Sequence, residues 1–144
     1  MMIRKFSKDF FEPGPLAFLG YSSKSPAYSA EIKEALEGGG FAVHAVNKRP
    51  SAKLEAPVHS SLGELPPETR QAFVLLAGGR ALEAVEELGK LGYKKVLFRS
   101  RGLAGQAALE RAAALGMEVA AGGPLRAYGK GLHRFHGFLA GVRG

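Results

Sequence analysis

The chain has no cysteine. That excludes disulfides, thiolate metal sites and cysteine nucleophiles, and says little about compartment. Aspartate occurs once, as Asp9, and asparagine once, as Asn47. No apolar run approaches the roughly 20 residues that cross a bilayer. The opening Met1-Met2-Ile3-Arg4-Lys5-Phe6-Ser7-Lys8-Asp9 lacks the apolar stretch of a secretory signal. A cytoplasmic protein without membrane attachment is the expectation. Scarce Asn, Gln and Cys give the composition a thermophile-like cast, and GC-rich coding produces the same bias.

What is present fits one domain spanning 1–144, long enough to bury a real core. Lys and Arg number 20 against 13 acids, a net charge of +7. Such a balance suits a nucleic acid, a membrane surface or an anionic metabolite. The placement of the charge along the chain has to choose among them.

Strand-like and helix-like patterns alternate. Leu16–Leu19 is a short apolar run between Pro15 and Gly20, followed by a helix over about Pro26–Glu37 with Ser25 at its cap. Phe41–Val46 reads as a second strand, and Ala72–Ala77 as a fully apolar third, closed by Gly78-Gly79. A helix over Ala81–Leu91 sets Leu82, Val85 and Leu88 on one face, with Glu83, Glu86 and Glu87 toward water. Lys95–Phe98, a helix near Gly105–Leu115 and Met117–Ala121 complete the series. This order predicts an α/β, Rossmann-like three-layer fold with a five-stranded, mostly parallel sheet. Residues 1–14 are read as an N-terminal extension, and 125–144 as a basic, Gly-rich tail without assigned structure.

Ligands of open parallel sheets bind beyond the carboxyl ends of the strands. The segments that follow the expected strands are Gly20-Tyr21-Ser22-Ser23-Lys24-Ser25, Asn47-Lys48-Arg49-Pro50, Gly78-Gly79-Arg80, Arg99-Ser100-Arg101-Gly102 and Gly122-Gly123-Pro124-Leu125-Arg126. Lys24, Lys48, Arg49, Arg80, Arg99, Arg101 and Arg126 therefore fall on one rim, with no acid inside those segments. The first segment also aims hydroxyls and main-chain N–H groups at a helix start, a ready anion site. A dinucleotide fingerprint needs G-x-G-x-x-G in that turn and an acid after the second strand. Neither is present. Lys48 and Arg49, where an acid would sit, attract a phosphorylated ribose. Coenzyme A or NADP fits these residues better than NAD.

The stretch Gly20-Tyr21-Ser22-Ser23-Lys24, with Tyr28, Glu31, Gly40-Phe41 and Val43-x-x-Val46-Asn47, resembles the small stand-alone CoA-binding proteins. These are similar to the CoA-binding domain of succinyl-CoA synthetase α subunits. The resemblance runs on through Pro57-Val58-His59-Ser60-Ser61-Leu62-Gly63-Glu64-Leu65-Pro66 and covers about Leu16–Pro124. It departs at Lys48, where the family has proline, at the basic Arg-Ser-Arg-Gly after the fourth strand, and at Gly122-Gly123-Pro124, where relatives often carry a cysteine. The resemblance implies that Ser22, Ser23 and Lys24 hold the pyrophosphate. It sets Asn47, Lys48 and Arg49 around the adenosine and its 3′-phosphate. The resemblance also implies that Ala77, Gly78 and Gly79 line the cleft, with Arg99, Ser100, Arg101 and Gly102 on its far side, and Gly20, Tyr21 and Arg80 join the expected site from their place on the rim. Tyr28 either stacks on an adenine or covers the sheet.

The sequence supplies no catalytic constellation. Ser22 and Ser23 lack a Gly-x-Ser-x-Gly elbow, and His133-x-x-His136 is half a metal site without a third ligand. His44 reads as structural, and His59 as a loop residue without evident chemistry. The expected role is non-catalytic binding of coenzyme A or an acyl-CoA, by a homodimer or with an unidentified protein partner. NADP-type binding within a larger oxidoreductase or acyl-CoA ligase complex is the alternative. Nucleic-acid binding is not expected, since no stacking set or Lys/Arg-rich helix is visible.

Overall fold

The computed structural model describes residues 2–21, 26–48 and 58–128. Among these residues six strands form one sheet in the order β1-β6-β5-β4-β2-β3, and the pairings between them are parallel. They are β1 (Ile3–Lys5), β2 (Pro15–Leu19), β3 (Ala42–Val46), β4 (Gln71–Val74), β5 (Lys95–Phe98) and β6 (Glu118–Ala121). The helices are α1 (Pro26–Gly38), α2 (Gly78–Lys90), α3 (Arg101–Ala104), α4 (Gln106–Ala114) and α5 (Pro124–Tyr128). No helix among the described residues is long and apolar enough to cross a membrane.

The layering follows from alternation along the strands. Leu16, Phe18, Val43, Ala45, Phe73, Leu97 and Ala120 face one side, where they meet Ile32 and Leu36 of α1 and Tyr128 of α5. Ala17, Leu19, Val46, Ala72, Val74, Val96, Phe98 and Val119 face the other, against Ala81, Val85 and Leu88 of α2 and Ala108, Leu109 and Ala112 of α4. Each fully buried Phe or Leu contributes about 1.5–3 kcal/mol of hydrophobic transfer. Both faces are covered, which is why the strands carry apolar side chains on each side.

The structure departs from the sequence expectation at both termini, at the junction of β4 and α2, and before α4. The sheet has a sixth strand, β1, whose Ile3, Arg4 and Lys5 pair with Val119, Ala120 and Ala121. It is three residues long and two of them are charged, so only its tertiary pairing reveals it. The residues after β1 are also part of the core: Phe10 and Phe11 are buried in a chain of edge-to-face rings with Phe6, Phe41 and Tyr128. The third expected strand ends at Val74 rather than Ala77, and α2 begins at Gly78 rather than Ala81. Finally, the helix expected near Gly105–Leu115 is preceded by a single separate turn, α3, which the Ser100 hydroxyl caps by accepting from the Leu103 N–H at 3.0 Å. In the tail, Pro124–Tyr128 form α5, and the Tyr128 hydroxyl donates to the Lys8 carbonyl at 2.8 Å.

Candidate functional site

The chain leaves β2 toward β3 on one side and then returns to build β4, β5 and β6 on the other. The strand order therefore reverses between β2 and β4, the place where open α/β sheets hold ligands. A cavity of about 620 Å³ lies there. That is within the roughly 300–1,000 Å³ range of small-molecule sites. Its walls are the residues just past three strands, namely Gly20 and Tyr21, Asn47 and Lys48, and Leu75 and Leu76, together with Ser61, Leu62 and one face of α2.

Local chemistry fixes each wall. Gly20 has φ +89°, and a Cβ there would stand 2.5 Å from the Leu75 carbonyl oxygen. Only glycine lets the turn after β2 lie this close to the chain leaving β4. The Tyr21 ring is buried on the α1 side against Phe18, so the main chain is what this residue offers the cavity wall by position. Asn47 binds two loops at once. Its amide N–H donates to the His59 carbonyl at 2.9 Å, and its Nδ2 donates to the Tyr21 carbonyl at 2.6 Å. His59 in turn donates its N–H to the Ala45 carbonyl and bridges Val46 in parallel fashion. The Ser60 hydroxyl donates to Glu64 at 2.6 Å, which with His59 holds that exposed carboxyl below its ordinary range. The chain expected to be a plain loop at His59 is thus an ordered wall that delivers Ser61 and Leu62.

Electrostatically, the cleft is not the purely cationic rim that the loop segments suggest. Arg80, Glu83, Ala84 and Glu87 share one face of α2 at i, i+3, i+4 and i+7, and all four line the cavity. Lys48 reaches across to Glu87, Nζ to Oε1 at 2.5 Å, and this bond holds the ammonium above its ordinary pKa. Of the three glutamates expected to face water, only Glu86 stays outside the lining, and it pairs with Arg111 of α4 through two contacts at 2.7 and 3.1 Å. The expected helix start at Ala81 leaves Arg80 off α2, and the face that borders the cavity is set by packing, so in the sequence Glu83 and Glu87 read only as water-facing.

The expected site residues separate into groups. Gly20, Tyr21, Asn47, Lys48 and Arg80 come together in the cavity. Ala77, Gly78 and Gly79 form the cap and first turn of α2, outside the lining. Tyr28 and Arg99 meet elsewhere on the rim: the Arg99 Nε–H donates to the Tyr28 hydroxyl at 2.7 Å. Ser100 is committed to capping α3, whose first turn carries the exposed Arg101 and Gly102. Arg126 falls in α5. Ser22, Ser23, Lys24, Ser25, Arg49, His133 and His136 lie outside the described residues. Leu62, Leu75 and Leu76 are additions. Leu75 and Leu76 continue the apolar run of β4 and belonged to the expected third strand, whereas Leu62 lies in the segment before it. No group of three His, Cys, Asp or Glu suited to a metal ion occurs among the described residues.

A model of the CoA-binding domain family matches residues 15–125. Among solved structures, a conserved hypothetical protein from Pyrococcus furiosus aligns with a TM-score of 0.62 at 24% identity, covering 78% of this chain and 94% of that one. A protein described as redesigned for binding aligns with a TM-score of 0.69 at 19% identity, over 99% and 98% of the two chains. A protein from Pyrococcus horikoshii aligns with a TM-score of 0.59 at 20% identity, over 76% of this chain and 28% of its own. These likenesses share the fold. No curated protein matches the chain.

Proposed function

The chain belongs to the CoA-binding domain family, and we propose that it holds the nucleotide end of coenzyme A or an acyl-CoA at the carboxyl ends of β2, β3 and β4. One observation carries this reading: the cavity at the strand-order reversal is built from residues 19–21, 46–48 and 75–76, all within the segment that the family model matches. Its chemistry suits the ligand. Leu19, Val46, Leu62, Leu75, Leu76 and Ala84 offer an apolar bed for a base, and Asn47, Ser61, Lys48 and Arg80 offer polar and cationic partners at its border. Lys48 and Arg80 favour a phosphorylated ribose over a bare one, which points to coenzyme A and, second, to NADP. In this reading the protein is a binding module in which positioning, rather than chemistry on the ligand, is the function.

Calorimetric titration with CoA, dephospho-CoA, NADP and NAD tests the proposal. Tightest binding of CoA, with dephospho-CoA weaker, is the expected result. Failure of all four to bind folded protein would overturn it. Preference for NADP over CoA would move the chain to the alternative reading.

A further inference from the structure

The cleft contains an ion pair that a phosphate-binding site does not need. Lys48 stands just past β3, where the approaching ribose phosphate is expected, yet its ammonium already touches the Glu87 carboxylate at 2.5 Å. Glu83 lines the same cavity one turn earlier on α2. The Lys48 side chain is 61% exposed and that of Glu87 is 35% exposed. Pairs this open are weak in net terms and exchange partners readily. A dianionic phosphate arriving at Lys48 therefore competes with a carboxylate for one cation. A ligand without that phosphate has nothing to gain from the exchange.

We propose that Glu87 limits the preference for a ribose phosphate by latching Lys48 across the cleft, so that a phosphate monoester must displace the carboxylate before it can use the lysine. The inference rests on the cleft being the coenzyme A site, and it assigns a role to a residue that does not itself recognise the ligand. Glu87 weakens all binding through Lys48 and thereby makes the phosphate's contribution conditional. The same pair bridges the segment after β3 and α2. Glu83 remains beside Lys48 after the exchange, which keeps a second negative charge near the phosphate and limits its gain.

The test is a double-mutant cycle on Lys48 and Glu87, read as the ratio of CoA to dephospho-CoA affinity at fixed ionic strength. In Glu87→Gln the ammonium is released, and CoA binds roughly two- to fivefold tighter while dephospho-CoA changes little. In Lys48→Ala the ratio falls toward one, and adding Glu87→Gln to that background restores nothing. Lys48→Arg keeps the ratio and its sensitivity to Glu87→Gln, which a merely structural role for the lysine would not. A ratio that Glu87→Gln leaves unmoved, with both ligands still binding, overturns the latch and spares the coenzyme A reading. A gain that persists without Lys48 also overturns it, since Glu87 would then act as a general negative field. Loss of binding by every variant and the parent alike fells the coenzyme A reading, and the latch with it.

Discussion

The two ends of the sheet use the same side-chain chemistry for opposite ends. At the amino edge, polar groups are closed on themselves. Gln71 is buried, accepting from the Glu12 N–H at 2.9 Å and donating to the carbonyls of Glu12 at 2.6 Å and Pro15 at 3.4 Å. Lys95 donates to the Phe10 carbonyl at 2.7 Å, lies 3.5 Å from Glu118 and sits over the Phe10 ring, which Arg4 also approaches. At the carboxyl edge, the exposed Lys48 is paired with the half-buried Glu87 carboxylate, and Arg80 and Glu83 face a cavity. A charge tied by several bonds under a covering segment is spent on the fold. A charge held by one exchangeable partner beside a void is available to a ligand.

The largest effect should come where fold and site share a residue. Gly20→Ala puts a Cβ against the Leu75 carbonyl at positive φ, so both the turn after β2 and the exit of β4 must shift. Denaturant unfolding should show a loss of about 2–4 kcal/mol, accompanied by loss of CoA binding in whatever remains folded. A variant of unchanged stability would mean that the two strand ends are not locked together here.

Gln71→Ala sharpens the contrast from the other end. It strips three hydrogen bonds and leaves the Glu12 backbone unpaired, which costs about 1–3 kcal/mol. Affinity for CoA should not change, because Gln71 starts β4 and the cavity lies past its end. An equal fall in stability and affinity would erase the division between the edges.

Much of the carboxyl edge was legible in the sequence, and much of the amino edge was not. Gly20, Asn47 and Lys48 follow apolar runs that can only be strands, so the rule that ligands gather beyond strand ends found them. β1 carries no such signal, since Ile3-Arg4-Lys5 is a strand only because β6 is there to pair with. Gly78 and Gly79 read as a terminating turn because glycine is a poor helix former, yet the structure makes them the first turn of α2. Glu83 and Glu87, further along the same helix, read only as water-facing. Their spacing from Arg80 was visible throughout, but which face of α2 turns toward the cavity depends on packing between elements far apart in sequence.

Tyr93 is the exception that can break the comparison at the amino side. It is buried, it precedes β5, and its hydroxyl has no hydrogen-bond partner among the described residues. Burial pushes its pKa up to about 12. A buried hydroxyl that has surrendered water for nothing is a net cost, so Tyr93→Phe should raise stability by about 1 kcal/mol. A loss of stability instead would mean that the hydroxyl is satisfied by ordered water, and that this end of the molecule is closed without exception.

The smallest expected effect concerns His44, midway along the edge strand between the two ends. Burial lowers its pKa from the ordinary 6.5, and the neighbouring His59, with ring centroids 5.9 Å apart, and Lys33 lower it further, while Glu68 opposes. The folded state thus binds its proton less readily than the unfolded chain. Its contribution to stability is complete above pH 6.5 and is lost as pH falls through the depressed folded value. Because the neighbouring His59 carries the carbonyl that Asn47 binds, charging His44 should loosen the cavity wall at the same time. Melting temperature followed from pH 7.5 down to about 5 should decline, and His44→Gln should flatten that decline. If the acid slope survives in His44→Gln, the titration that matters lies elsewhere, and the edge strand takes no part in coupling pH to the cleft.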